Sequence, residues 1–107
     1  MNKMSMVKRI EDEIVTLNRH INILLVVSRS EPVGVGELGR ETGLQNHQVR
    51  YSVRILEQED LIKPSPEGLR TTAQTEQFIV ETNDELDRIE RKVRAFGTIF
   101  DIEEESP

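Results

Sequence analysis

The chain has 107 residues, with 14 Lys and Arg against 20 Asp and Glu, a formal net charge of -6 and no cysteine. That length supports one modest core and leaves no room for a large separate sensing module. The missing cysteines exclude disulfides, thiolate nucleophiles and Cys-ligated zinc, while the acidity argues against a general nucleic-acid coat, which needs Lys and Arg to neutralise phosphates.

Val7, Ile10, Ile14, Leu17, Ile21 and Leu24 recur in steps of three and four, the apolar seam of a helix that packs on a partner. Lys8, Arg9, Glu11, Asp12 and Glu13 stand between them, so the other face is solvated. The pattern fits one helix from about Ser5 to Arg29, or two helices meeting near Asn18, whose side chain competes for backbone hydrogen bonds. Pro32 and Gly34 end the segment. No secretory signal is visible, and the longest apolar run, Ile23 to Val27, is far too short to span a bilayer, so a soluble cytoplasmic chain with no membrane partner is expected.

Val33 to Val35 reads as a short extended piece and Gly36 to Thr42 as a helix closed by Gly43, which can take the left-handed conformation. A second helix starts at Gln45 or Asn46. In it Val49, Val53 and Leu56 fall on one buried stripe, and His47, Arg50, Tyr51, Arg54 and Gln58 on the opposite side. Leu61 to Pro64 and Leu69 to Thr71 pair as strands about Ser65, Pro66, Glu67 and Gly68, where proline presets one turn dihedral and glycine supplies positive φ. Two short helices about a glycine turn, followed by a tight ribbon, are the plan of a winged helix-turn-helix. The fold class expected is therefore mainly α with a small β-wing, flanked by long N- and C-terminal helices.

Thr71 and Gln74 make a capping box that opens the last helix. Along it Ile79, Thr82, Leu86, Ile89, Val93, Phe96 and Phe100 repeat at three-four spacing over roughly three heptads, enough for a coiled-coil seam. Asp101 to Pro107 is read as a disordered acidic tail. The organisation expected is a single domain over 1–107: an N-terminal helical region at 1–30, the helix-turn-helix and wing at 33–72, a dimerisation helix at 72–100 and the tail at 101–107. A hairpin within one chain could use both terminal seams, but two seams in one small chain favour a homodimer through Val7, Ile10, Ile14, Leu86, Ile89, Val93, Phe96 and Phe100.

From Gln45 to Leu56 there is no acid, and the bases are Arg50 and Arg54, while the carboxylates crowd Glu81 to Glu90 and Asp101 to Glu105. Arg50 and Arg54 are one turn apart, so one can fork onto a guanine edge while the other clamps a phosphate. The plainer alternative is a surface pairing of Arg54 with Glu57 or Gln58, worth little. Tyr51 either stacks and bonds to phosphate or covers the edge of the core. His20 and His47 have no carboxylate at ligand spacing and are read as polar side chains rather than metal ligands. The GVGELG stretch has neither the lysine of a P-loop nor the glycines of a dinucleotide fingerprint. With no nucleophile beside a base, neither catalysis nor a cofactor is expected.

Glu37, Leu38 and Gly39 before Gly43 and Leu44, then Val49, Val53, Leu56, Glu57, Leu61 and Ile62, then Leu69, Thr71 and Thr72, resemble the winged-helix transcriptional regulators of bacteria and archaea, including the MarR-like and PadR-like groups. The resemblance spans Ile21 to about Phe78. It implies a recognition helix with Gln45, Asn46, His47, Gln48, Arg50, Tyr51 and Arg54 toward double-stranded DNA, Lys63 and Arg70 flanking the wing, and subunit pairing through Leu86 to Phe100. Three residues depart from the pattern: Gly39 stands where alanine is common, Gln45 replaces the usual Ser or Thr cap, and Asp60 takes a position usually held by glycine. The function expected is a dimeric, sequence-specific DNA-binding regulator. The alternative is a winged-helix protein-interaction module without DNA binding. A repressor with a small-molecule effector is not separable from the first, because an apolar pocket and an apolar seam use the same residues.

Overall fold

The computed structural model describes residues 5–105, with side chains described to residue 99. Its elements are helix α1 (Met6–Ser30), helix α2 (Val35–Thr42), helix α3 (Asn46–Gln58), strands β1 (Ile62–Ser65) and β2 (Gly68–Thr71), and helix α4 (Thr75–Glu105). The chain divides into two compact units, Met1–Thr75 and Glu76–Pro107. The first is a winged helix-turn-helix, mainly helical with a two-stranded antiparallel wing.

Ser5 caps α1, its hydroxyl accepting from the Lys8 amide at 3.1 Å. The helix runs unbroken through Asn18, so the two-helix alternative is not what forms. Asn18 points to solvent, where its weak helix propensity costs only tenths of a kcal/mol against the seam on either side. Only the last turns of α1 enter the core: Ile23, Leu24, Val26 and Val27 are buried, whereas Val7, Ile10 and Ile14 are more than half exposed.

The core closes as Val33, Leu38, Val49, Val53, Leu56, Leu61, Ile62 and Leu69 meet those four residues, at roughly 25 cal/mol per Å² of apolar surface removed from water. Gly43 ends α2 in the left-handed region (φ 75°), its amide donating to the Gly39 carbonyl at 2.9 Å. Asp60 takes the same region after α3 (φ 61°), as a short polar side chain can. In the wing Ile62 pairs with Thr71, Lys63 with Arg70, Pro64 with Leu69 and Ser65 with Gly68. Alternation turns Ile62 and Leu69 to the core and leaves Lys63 exposed. Val33 adds a bridge to β2, exchanging backbone hydrogen bonds with Leu69 at 3.1 and 2.8 Å.

The last helix starts later than the Thr71–Gln74 box implies. Thr71 is committed to the wing edge, where its amide and hydroxyl donate to the Glu31 carboxylate at 3.0 and 2.9 Å. The cap moves to Thr72 and Thr75: the Thr72 hydroxyl accepts from the Gln74 amide at 3.2 Å, and Thr75 Oγ1 accepts from the Thr72 amide at 3.2 Å. Thr75, itself buried, also donates to the Leu61 carbonyl at 2.6 Å. At its far end α4 continues through Asp101 to Glu105, so that part of the acidic stretch is helix and not a disordered tail. No helix breaker stands there before Pro107, and glutamate is a good helix former. Residues 106 and 107 lie outside the described residues. Among the described residues, no helix is long and apolar enough to cross a membrane.

Candidate nucleic-acid interface

Gln45 is the N-cap of α3, and the helix begins at Asn46. Glutamine is a poor cap by itself, but three residues on Gln48 reaches back, its Oε1 accepting from the Gln45 amide at 3.0 Å. That bond fixes the start of the helix and uses one of the side chains read as DNA-facing. Gln45, Asn46 and His47 remain exposed at the same end.

Further along, Val49, Ser52, Val53 and Leu56 are buried and Arg50, Tyr51, Arg54 and Gln58 are exposed. Arg50 and Arg54 thus share one open face. Among the described residues no carboxylate comes within ion-pair range of either guanidinium, so the alternative pairing of Arg54 with Glu57 does not form. Their charge is available to an anion brought to that face.

Tyr51 stands at the margin of this face, 43% exposed, with its ring 5.6 Å from that of His20 on α1 at an interplanar angle of 47°. His20 in turn places Nδ1 2.7 Å from Oγ of Ser52, which is completely buried. Burial, and then the neighbouring charge of Arg19, lower the pKa of His20 and hold it neutral. Sequence reasoning missed this tie between α1 and α3. A signal was present, since Ser52 lies three residues after Val49 and four before Leu56, on the buried stripe.

The wing offers less. Lys63 and Arg70 are direct cross-strand partners on one face, but Arg70 lies 3.6 Å from the Glu67 carboxylate, so part of its charge is already answered. Of the seam residues proposed to pair subunits, Val7, Ile10, Ile14, Leu86, Ile89, Val93 and Phe96 are exposed; the side chain of Phe100 lies outside the described residues. An open groove of about 420 Å³ runs between α1 and the end of α2, lined by Asn22, Leu25, Val26 and Thr42 among others. It is separate from the Arg50–Arg54 face.

A helix, α3, seated by an apolar stripe, entered from a glycine turn and followed by a ribbon, defines a winged helix-turn-helix domain. Among solved structures the chain is similar to the activation domain of the phage T4 transcription factor MotA, with a TM-score of 0.53 and 20% identity over 72% of this chain and 81% of that one. The likeness is one of fold: it is shared with a domain of a transcription factor and singles out neither the MarR-like nor the PadR-like group. Compared with protein-family models and with the curated proteins, the chain matches none.

Proposed function

We propose that the protein is a homodimeric transcription regulator that binds double-stranded DNA through α3 and pairs with a second copy through the apolar seams of its terminal helices. The observation that carries the reading is the pair Arg50 and Arg54: one turn apart, exposed, without a carboxylate partner among the described residues, in a stretch free of acid within an acidic chain. Asn46 and His47 extend the reading face toward the start of the helix, and Lys63 supports it from the wing. Gln45 and Gln48 set the helix start, and Tyr51 covers the margin beside His20. The reading involves no catalytic step and no cofactor.

The test is a titration of labelled genomic duplex fragments from 50 to 200 mM salt with wild type and with Arg50→Ala/Arg54→Ala. Each phosphate contact contributes roughly 0.9 to the slope of log affinity on log salt, so loss of both arginines flattens that slope by up to about 2 and weakens binding at least tenfold. Both side chains are exposed, so the melting temperature should hold. Unchanged affinity and slope in the double variant would sink the assignment of the face.

The second reading is a protein-interaction module. Three observations favour it: the net charge of -6, the Glu67–Arg70 pairing in the wing, and the likeness in fold to a domain named for activation. Failure of wild type to retain any fragment at 50 mM salt selects it.

A further inference from the structure

Along α4 the seam residues Ile79, Leu86, Ile89, Val93 and Phe96 are between one third and just over one half exposed, with Thr82 among them half-buried. An apolar stripe of that length in water calls for a cover. We propose that the cover is the α4 of a second copy, running antiparallel about a centre between Asp87 and Arg88. This deepens the dimer of the preceding reading and rests on it.

From Ile79 to Phe96 the seam is symmetric about that centre. Reflection through it places Ile79 on Phe96, Thr82 on Val93 and Leu86 on Ile89, so each of these six meets another of the six, and Phe100 falls beyond the matched span. Every layer then combines one position from each of the two alternating rows of the heptad, a large residue meeting a large one and the small Thr82 meeting Val93.

Charge selects the direction. From Glu76 to Asp87 the helix carries five carboxylates, Glu76, Glu81, Asp84, Glu85 and Asp87, and no cation. From Arg88 to Arg94 it carries four cations, Arg88, Arg91, Lys92 and Arg94, against Glu90. Antiparallel pairing lays the acidic block of each helix along the basic block of the other, twice by symmetry. Parallel pairing in register lays acid on acid and base on base. Beside the seam, Glu85 faces the second copy's Lys92 in the antiparallel arrangement and the second copy's Glu90 in the parallel one. The antiparallel pair carries the two winged-helix units at opposite ends, their junctions at Thr75 about 37 Å apart along the coil at a rise of about 1.5 Å per residue.

The natural chain has no cysteine, so direction is readable in the full-length protein by disulfide trapping. Ile79→Cys and Phe96→Cys are made in separate chains and oxidised alone and mixed. The antiparallel pair gives a disulfide-linked dimer in the mixture and none in either single variant. Self-linking of either variant alone overturns the direction while leaving the dimer standing. A wild-type dimer with no link in any arm moves the interface elsewhere, to the exposed seam of α1, and overturns the proposal. A monomer by light scattering at 100 μM-scale concentration, about that of a weak dimer, removes the dimer reading as well.

Charge reversal gives an answer independent of cysteine packing. Glu85→Lys should raise the dimer dissociation constant about tenfold at low salt, because two attractive pairs become repulsive, and adding Lys92→Glu to the same chain should restore it. In a parallel coil Glu85→Lys tightens the dimer instead. That opposite sign overturns the proposal.

Discussion

Truncation of His20 to alanine should cost more stability than removal of the hydroxyl it binds. In the folded chain His20 Nδ1 is 2.7 Å from Ser52 Oγ, and Ser52 has no exposed surface. His20→Ala strands that hydroxyl in the core, a desolvation cost of about 1–3 kcal/mol. It also removes the ring contact with Tyr51, worth about 0.5–1.5 kcal/mol. Together they predict a loss of about 1.5–4.5 kcal/mol. Ser52→Ala instead deletes the buried oxygen and leaves Nδ1 on a half-buried ring that water can reach, for a loss of about 1 kcal/mol. In the double variant the stranded-hydroxyl penalty vanishes, so its cost should fall below the sum of the singles by about 1 kcal/mol or more. Urea unfolding of the four chains at one fixed protein concentration measures this cycle through the midpoint and slope. Additivity to within about 0.3 kcal/mol would refute the pairing.

The same histidine sets a pH dependence. Its folded-state pKa is lowered from the usual 6.5, by burial first and by Arg19 second, so the unfolded chain takes up the proton before the folded one. The stability contributed by neutral His20 is therefore complete above pH 6.5 and is lost as pH falls through the folded-state value. His20→Gln should flatten that part of the stability–pH curve.

Two glycines should respond in opposite directions. A Cβ on Gly39 would lie 3.5 Å from the Leu44 carbonyl oxygen and 3.7 Å from Asn46 Oδ1, ordinary contact, so Gly39→Ala should stabilise by about 0.5–1 kcal/mol through helix propensity. A thermal melt that falls on this change would contradict the spacing between α2 and the start of α3. Gly68 has φ 141°, and a Cβ there would come within 2.9 Å of the Val33 amide nitrogen, which is held by the bridge to Leu69. Gly68→Ala should therefore destabilise by at least about 2 kcal/mol and loosen protection of the Val33 and Leu69 amides from hydrogen exchange; unchanged protection would count against that close approach.

Local pattern carried much of this fold and part of the candidate site. The stripe of Val49, Val53 and Leu56 was legible because a helix repeats every 3.6 residues, and the same periodicity put Arg50 and Arg54 on the open side. The wing was legible because Pro66 and Gly68 restrict or free single dihedrals. The start of α4 was misplaced by a few residues because Thr71 and Thr72 are equally good caps in isolation. What separates them is Glu31, 40 residues away in sequence from Thr71, which claims the Thr71 amide and hydroxyl.

What the sequence determined alone, then, is the order and type of the helices and strands of the winged unit, their apolar faces and the acid-free run of α3, since these depend on dihedral preference, periodicity and charge within a few neighbours. Only the tertiary structure decided that the last turns of α1 enter the core while its first turns stay exposed, that His20 reaches Ser52 across 32 residues, and that Glu67 engages Arg70 while no carboxylate engages Arg50 or Arg54 among the described residues. Those outcomes depend on which surfaces converge when the chain closes, and the free energy of a polar pair depends on the water excluded around it, which no local window contains.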